Sequence, residues 1–463
     1  MLRERLNRAA YFGLHRLIGS DLAKRYKEFV DLETRSHEWL RDLQGQRLQK
    51  LLAYAANQMP FYQKHVTPQA EYVLSDFPIL TKNDVRDNFQ DLMSPQIRQE
   101  NLSGKQNLSY SWTRLQTGGS TGTPTTVIHD KNFRDINRAA RLYTQNLCGF
   151  PIGTPYFKLW GSMREINDAK ESLQQRIAST LAGEILLNAF RMEDPQIDSY
   201  VQTINRSSVD HLMAYSDAAY RMAEHIRAAG VKVRPLKSVM ACAGTLTDEM
   251  RQSISNAFGQ ARVHNMYGSR DCGAMACECP HGGFHILENK VILETVDQTG
   301  APVSPGETGR ILVTLLGNYG FPMIRYEIGD IGSISRRRCH CGIPTAVLDR
   351  VEGRTIEFLL SANGGYVSPI YIRHLIGVVH NSGVIRRFQV VQDALDHAVL
   401  ALEKESGVAE ALVDDSIANI RRDLITVFGA GMKLEIKVVD RIPESDSGKF
   451  IPCINRIGRS AGL

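Results

Sequence analysis

Between residues 155 and 270 the chain alternates short strand-like runs (YFKLWG, HLMAYS, SVMACAG, ARVHNMYG) with helix-patterned stretches such as DAAYRMAEHIRAAG and TDEMRQSISNAFG. That alternation predicts an α/β fold with a mostly parallel sheet, because each return to a parallel strand needs a crossover, usually a helix. From 284 to 335 the strand-like runs come closer together (FHILENKVILETV, GRILVTLL, MIRYEIGDIGSIS). They are separated by turn chemistry at Asp297–Gly300 and Pro305-Gly306, which predicts antiparallel β structure. Residues 1 to 75 carry helical apolar spacing, and Thr81 with Asp84 three residues on predicts a capped helix start.

Beyond residue 351 a smaller α/β unit is predicted. RRFQVVQDALDHAVLALEKE reads as a hairpin, AEALVDDSIANIRRDLITVFG as an amphipathic helix and KLEIKVVD as a strand. A boundary near Arg350–Gly353 divides the chain into 1–350 and 351–463. At 463 residues it is too long for a single core. Hydrophobic residues at 43% and charged residues at 23% are ordinary for a globular protein. The net charge of +5 suits an anionic ligand but is not focused into a nucleic-acid-binding stripe. No apolar run is long enough to predict a transmembrane helix. The basic, amphipathic start MLRERLNRAAYFGLHRLIGSDLAKRY has no signal-peptide core and leaves two readings, a helix packed on the body or one lying on a membrane surface. The expected location is cytoplasmic, with membrane-peripheral attachment as the second reading.

The segment Thr117-Gly118-Gly119-Ser120-Thr121-Gly122-Thr123-Pro124-Thr125 can wrap phosphate oxygens with backbone N–H groups and hydroxyls, although it lacks the Walker ending. Four more segments follow in order. They are Tyr267-Gly268-Ser269-Arg270-Asp271, Arg325-Tyr326-Glu327-Ile328-Gly329-Asp330, Gly353-Arg354-Thr355-Ile356-Glu357, and Pro443-Glu444-Ser445-Asp446-Ser447-Gly448-Lys449. Together with RLQKLLAYAANQMPFYQKHV near the start, the ordered set resembles the acyl-adenylate-forming superfamily. The nearest branch is that of the phenylacetate–CoA ligases and their CapK-like relatives in capsular polysaccharide biosynthesis.

The resemblance implies a large N-terminal adenylate-forming domain and a small mobile C-terminal α/β domain. It implies activation of a carboxylic acid by ATP as acyl-AMP, followed by transfer to a thiol such as CoA. In that scheme Thr117 to Thr123 hold the departing phosphates, Asp271 positions Mg²⁺, and Tyr267 packs on adenine beside Ala243, Gly244, Gly268 and Ser269. Asp330 binds the ribose with help from Arg350 and Arg354, and Lys449 reaches in from the small domain during adenylation. Three residues depart from the family's usual pattern: Thr123 in place of a lysine, Asp271 in place of Glu, and the apolar Ile356 at the hinge.

Eight cysteines without a secretory signal argue against a disulfide framework. Cys277-Glu278-Cys279, then His281 and His285, then Cys339-His340-Cys341 suggest a tetrahedral zinc site. The family match selects Cys279, His285, Cys339 and Cys341, with Cys277 and His281 as substitutes, as a structural site. The acid is expected near Trp160-Gly161-Ser162, Tyr215-Ser216, Ala243-Gly244-Thr245 and Met266-Tyr267, where aromatics suit an aryl acid, although Trp160 and Tyr215 also read as ordinary core. The acceptor is CoA, a carrier-protein thiol or an amine, and a homodimer is a further expectation. A non-catalytic nucleotide-binding homologue is the remaining reading, opposed by the joint presence of Asp330, Arg354 and Lys449.

Overall fold

The computed structural model describes residues 2–103, 112–116, 125–161, 173–189, 192–244, 246–297, 299–335, 337–352, 359–362, 366–367, 369–380, 383–442 and 452–457. The chain opens with helices α1 (Leu2–Leu17), α2 (Leu22–Asp31), α3 (His37–Gln58), α4 (Pro60–His65), α5 (Lys82–Asp87) and α6 (Pro95–Ser103). Ser36 caps α3 by accepting from the Trp39 N–H at 3.1 Å. Pro60 has no N–H to continue α3, so it starts α4 instead. Thr81 and Asp84 close the expected capping box: the Asp84 N–H donates to Thr81 Oγ1 at 3.1 Å, and the Thr81 N–H donates to the Asp84 carboxylate at 2.8 Å.

A hairpin of β1 (Trp112–Gln116) and β2 (Thr126–Asp130) follows, with Gln116 opposite Thr126. Asp130 ends β2 and caps α7 (Lys131–Leu147), accepting from the Phe133 N–H at 2.8 Å. Then come β3 (Tyr156–Trp160), α8 (Leu173–Ala182), β4 (Glu184–Asn188), α9 (Asp194–Arg206), β5 (His211–Tyr215), α10 (Ser216–Ala229), β6 (Ser238–Cys242), α11 (Asp248–Ala257) and β7 (Arg262–Ser269). Strands β8 (Gly273–Glu278), β9 (Phe284–Ile286), β10 (Val291–Val296), β11 (Gly309–Leu315), β12 (Tyr326–Ser335) and β13 (Val347–Glu352) complete the large sheet.

Its eleven strands run in the order β10-β11-β12-β13-β9-β8-β7-β6-β5-β3-β4. From β4 to β7 the pairing is parallel, and from β7–β8 onward it is antiparallel. The two β regions that the sequence separates are thus one continuous sheet. Strands β5 and β6 are buried at every position, as covered parallel strands should be.

The C-terminal unit contains β14 (Leu359–Leu360), β15 (Tyr366–Val367), α12 (Pro369–His374), β16 (Ile385–Ala394), β17 (His397–Lys404), α13 (Glu410–Phe428), β18 (Lys433–Val438) and β19 (Cys453–Asn455). The predicted hairpin is β16–β17, and a four-stranded sheet β18-β17-β16-β19 packs α13 into a core of its own around Phe388, Leu400, Leu424 and Phe428. Among the described residues no helix is long and apolar enough to cross a membrane.

Candidate active site and metal centre

The carboxyl ends of parallel strands are where open α/β sheets place their ligand crevices. Here the ends of β3, β5, β6 and β7 carry Trp160, Tyr215, Cys242 followed by Ala243-Gly244, and Met266-Tyr267. Register holds them at one level: Leu159 pairs with Ala214, Tyr215 with Cys242, and Cys242 with Met266. Ala243 leaves β6 at φ +63°, a left-handed turn that costs a non-glycine residue about 1–2 kcal/mol. Ser216 Oγ ties the start of α10 to this turn, donating to the Gly244 carbonyl at 3.3 Å.

Tyr267 and Asp330 lie 63 residues apart in sequence, yet the Tyr267 hydroxyl donates to the Asp330 carboxylate at 2.9 Å. A bulge aims Asp330. Opposite β12, Arg310 pairs with Ile331 but Leu312 pairs with Glu327, so Ile328–Asp330 face a single residue of β11, and Gly329 takes φ +90°. Such bulges redirect side chains beside functional sites. Arg350 sits on the neighbouring β13, exposed, donating to Thr308 Oγ1 at 3.1 Å.

Asp271 is buried in the β7–β8 turn. Its carboxylate accepts from the Tyr326 hydroxyl at 2.7 Å, and its carbonyl accepts from His129 Nε2 at 2.7 Å. A carbonyl only accepts, so the His129 proton is on Nε2. Burial pushes the His129 pKa down to about 4, keeping the ring neutral. Ser269 is spent on the same turn, accepting from the Cys272 N–H at 3.0 Å. Beneath the turn the fully buried Lys290 ammonium donates to the carbonyls of Cys272 (2.7 Å) and Ala274 and to Asn137 Oδ1 of α7 (2.9 Å). Gly273 has φ +69°, and a Cβ there would stand 1.8 Å from Asn137 Oδ1. His129, Asn137, Lys290 and Tyr326 are not among the expected site residues. Of these, only Tyr326 lies within one of the five ordered motif segments.

Trp160 and Tyr215 pack with ring centroids 4.0 Å apart and planes tilted by 35°, and the Tyr215 hydroxyl donates to the Gly161 carbonyl at 3.3 Å. Tyr215 is buried, Ser216 is buried, and Trp160, Met266 and Gly268 are half-buried. Tyr215 thus packs as core, while Trp160 and Met266 retain surface at the strand ends. Thr117, Gly118, Gly119, Ser120, Thr121, Gly122, Thr123, Ser162, Thr245, Arg354, Ile356 and Lys449 lie outside the described residues. Strands β1 and β2, on either side of residues 117–124, pair antiparallel, and β2 delivers His129 to Asp271.

Cys279, His285, Cys339 and Cys341 converge with all four ligand atoms within 4.8 Å of one another. Zn–S bonds of about 2.3 Å in a tetrahedron separate neighbouring sulfurs by about 3.8 Å. The Cys279–Cys339 sulfurs are 3.6 Å apart, and Cys341 Sγ is 3.1 Å from His285 Nε2, so the donor set fits a tetrahedral ion. His285 Nδ1 faces Thr345 Oγ1 at 2.9 Å, which directs Nε2 toward the sulfurs. Gly283 is required beneath them, since its Cβ would come within 2.4 Å of Cys339 Sγ. The substitutes fall elsewhere: Cys277 Sγ is buried 3.8 Å from Cys148 Sγ, and His281 is exposed, contributing only a backbone N–H to Cys279 Sγ.

The cluster lies at the far end of β8 from Asp271, across the thinnest seam of the sheet. Strands β9 and β13 join the two halves through only two register pairs, Val347–His285 and Leu348–Phe284. Cys279 and His285 come from one side of that seam, and Cys339 and Cys341 from the β12–β13 connection on the other.

Residues 359–456 match the CapK C-terminal domain family. The chain is 25% identical over 462 residues to the phenylacetate–coenzyme A ligase of Thermus thermophilus, covering 91% of this chain and 97% of that one. It is 26% identical over 369 residues to the Pseudomonas putida phenylacetate–coenzyme A ligase, covering 74% and 77%. The chain is thus similar over most of its length to phenylacetate–CoA ligases, and its C-terminal residues match the CapK family. Solved 2-hydroxyisobutyryl-CoA ligase in its thioesterification state, complexed with 2-HIB-AMP and CoA, superposes with TM-score 0.57 at 18% identity, covering 92% of this chain and 91% of that one. The open conformation of the same enzyme gives TM-score 0.52. At these identities the superpositions bear on the fold.

Proposed function

We propose that this protein activates a carboxylic acid as acyl-AMP and passes the acyl group to CoA. The observation that carries the proposal is the gathering of Tyr267 on Asp330, and of Tyr326 and His129 of β2 on Asp271, at the carboxyl end of β7. The acid carboxylate attacks the α-phosphorus of ATP and pyrophosphate leaves. A thiol then attacks the acyl carbonyl and AMP leaves. Charge builds on phosphate oxygens in the first step, so positioning and fixed electrostatics dominate. Tyr267 and the Ala243-Gly244 turn would flank the base, and Asp330, with Arg350 and Arg354, would accept from the ribose hydroxyls. Asp271, held by Tyr326, would orient Mg²⁺, which would offset phosphate charge. Lys449 of the proposed 351–463 domain would bridge acid and phosphate.

The same reading places a structural Zn²⁺ on Cys279, His285, Cys339 and Cys341. Four protein donors leave no open position for catalysis. A second reading of the acceptor is an amine in polysaccharide assembly, which the sequence resemblance to CapK-like proteins leaves open. An aryl acid is favoured by Trp160 at the end of β3. The test is ATP–pyrophosphate exchange with a panel of aryl and alkyl acids, for wild type and Lys449→Ala, with and without CoA. Exchange that depends on acid and is lost in Lys449→Ala, with thioester formed on adding CoA, is expected. Accumulated acyl-AMP that CoA does not consume selects the amine reading, and no exchange with any acid overturns both.

A further inference from the structure

Helix α1 turns its apolar face outward. At about 100° per residue, Leu2, Leu6, Ala9, Ala10, Gly13 and Leu17 share one side of the helix. All six are exposed, the three leucines by 74%, 62% and 86%. The inward side carries Tyr11 and His15, and Arg8 lies over the Tyr26 ring of α2. Arg3 borders the outer stripe on one flank and Arg5 and Arg16 on the other, all exposed. A helix held only by packing on its own protein has the reverse arrangement.

The apolar surface continues on neighbouring elements. Helix α8 lies against both α1 and the sheet-edge strand β4. It exposes Leu173 by 74% and Ile177 by 43%, and β4 exposes Ile185 and Leu186 by 37% and 40%. These three elements hold seven of the twelve large hydrophobic side chains exposed among the described residues, so the concentration is local. Scattered apolar side chains need no explanation, but a contiguous patch marks a contact surface.

Charge identifies the occupant. Helix α1 has four arginines and one acidic residue, Glu4, which falls on the inward side, and α8 adds the exposed Arg176 and no acid. A second copy docked on the same face would bring one arginine border against another. We infer that α1, continued by α8, is a docking face for an anionic lipid surface. The leucines enter the boundary between headgroups and acyl chains, and Arg3, Arg5 and Arg16 meet lipid phosphates.

The test is co-sedimentation of the full chain with vesicles of phosphatidylcholine alone or mixed with phosphatidylserine, alongside light scattering of the free protein. Two variants, Leu2→Gln/Leu6→Gln/Leu17→Gln and Arg3→Gln/Arg5→Gln/Arg16→Gln, alter only exposed side chains, and unchanged melting temperatures confirm their folding. Wild type is expected to bind the phosphatidylserine vesicles alone, more weakly as salt rises. The arginine variant should lose about a hundredfold, roughly fivefold per arginine, and the leucine variant should not bind. Wild type that ignores phosphatidylserine, or variants that bind like wild type, overturn the inference. So does a wild-type dimer that binds no vesicles and that the leucine substitutions dissociate, since the face then belongs to a second copy.

Discussion

Lys290 gives the sharpest physical test of the site's foundation. Its side chain is fully buried over the Phe133 ring, with three oxygens for its three donors. Burial pushes its pKa down from 10.5 to about 7. In the unfolded chain the same group titrates near 10.4. The folded pKa is the lower one, so between the two values the unfolded chain binds more protons and stability rises with pH. Integrated from pH 7 to pH 9, the gain is about 2 kcal/mol. Lys290→Met keeps the apolar length and cannot titrate. The variant leaves three buried acceptors without a donor, costing about 1–3 kcal/mol each. Its deficit relative to wild type should therefore widen by about 2 kcal/mol between pH 7 and pH 9.

The assay is urea unfolding at pH 7, 8 and 9, followed by tryptophan fluorescence. The three tryptophans, Trp39, Trp112 and Trp160, all precede residue 351, so the signal reports the large unit. Buried thiols such as Cys148 and Cys242 are pushed up by burial and lose their contribution as pH rises, and they cancel in the difference. A deficit that stays constant from pH 7 to pH 9 would refute the reasoning. The three acceptors would then hold the lysine charged throughout, outweighing the cost of its burial.

Two further substitutions probe the site's supports. Thr345→Val removes the partner of His285 Nδ1 and should weaken zinc binding about 10–100-fold in a chelator competition. Unchanged affinity would show that the imidazole needs no such orientation. Tyr326→Phe removes the donor to Asp271 and should raise the Mg²⁺ concentration for half-maximal pyrophosphate exchange about tenfold, from a charged hydrogen bond of about 1.5 kcal/mol. An unaltered Mg²⁺ dependence would separate Asp271 from metal positioning.

What the sequence discloses and what it hides divide along a physical line. A strand, a helix or a cap imposes its pattern on residues close together in the chain. The βα alternation therefore announces the parallel strands, Thr81 with Asp84 announces a helix start, and two Cys-x-Cys pairs announce a cluster of donors that could hold a metal. Spacing alone leaves Cys277 and Cys279 equivalent, and only the family match chose Cys279; the physical reason is the strand end, since Cys277 pairs within the sheet opposite His285 and points to Cys148, whereas Cys279 lies past it. The contacts that hold Asp271 impose no such pattern. Tyr326 arrives from 55 residues away, and a lysine in a turn reads as solvated although Lys290 is buried. The direction of Asp330 depends on three residues of β12 opposing one of β11, which no local period records. Strand β9 has three residues, too few to show alternation, so the continuity of the sheet was hidden at the very seam that Cys279, His285, Cys339 and Cys341 span. A tetrahedral ion on these four donors would cross-link both sides of that two-pair junction. The cysteine spacing that revealed the cluster is therefore also the sequence's only local trace of how the two halves of the sheet are joined.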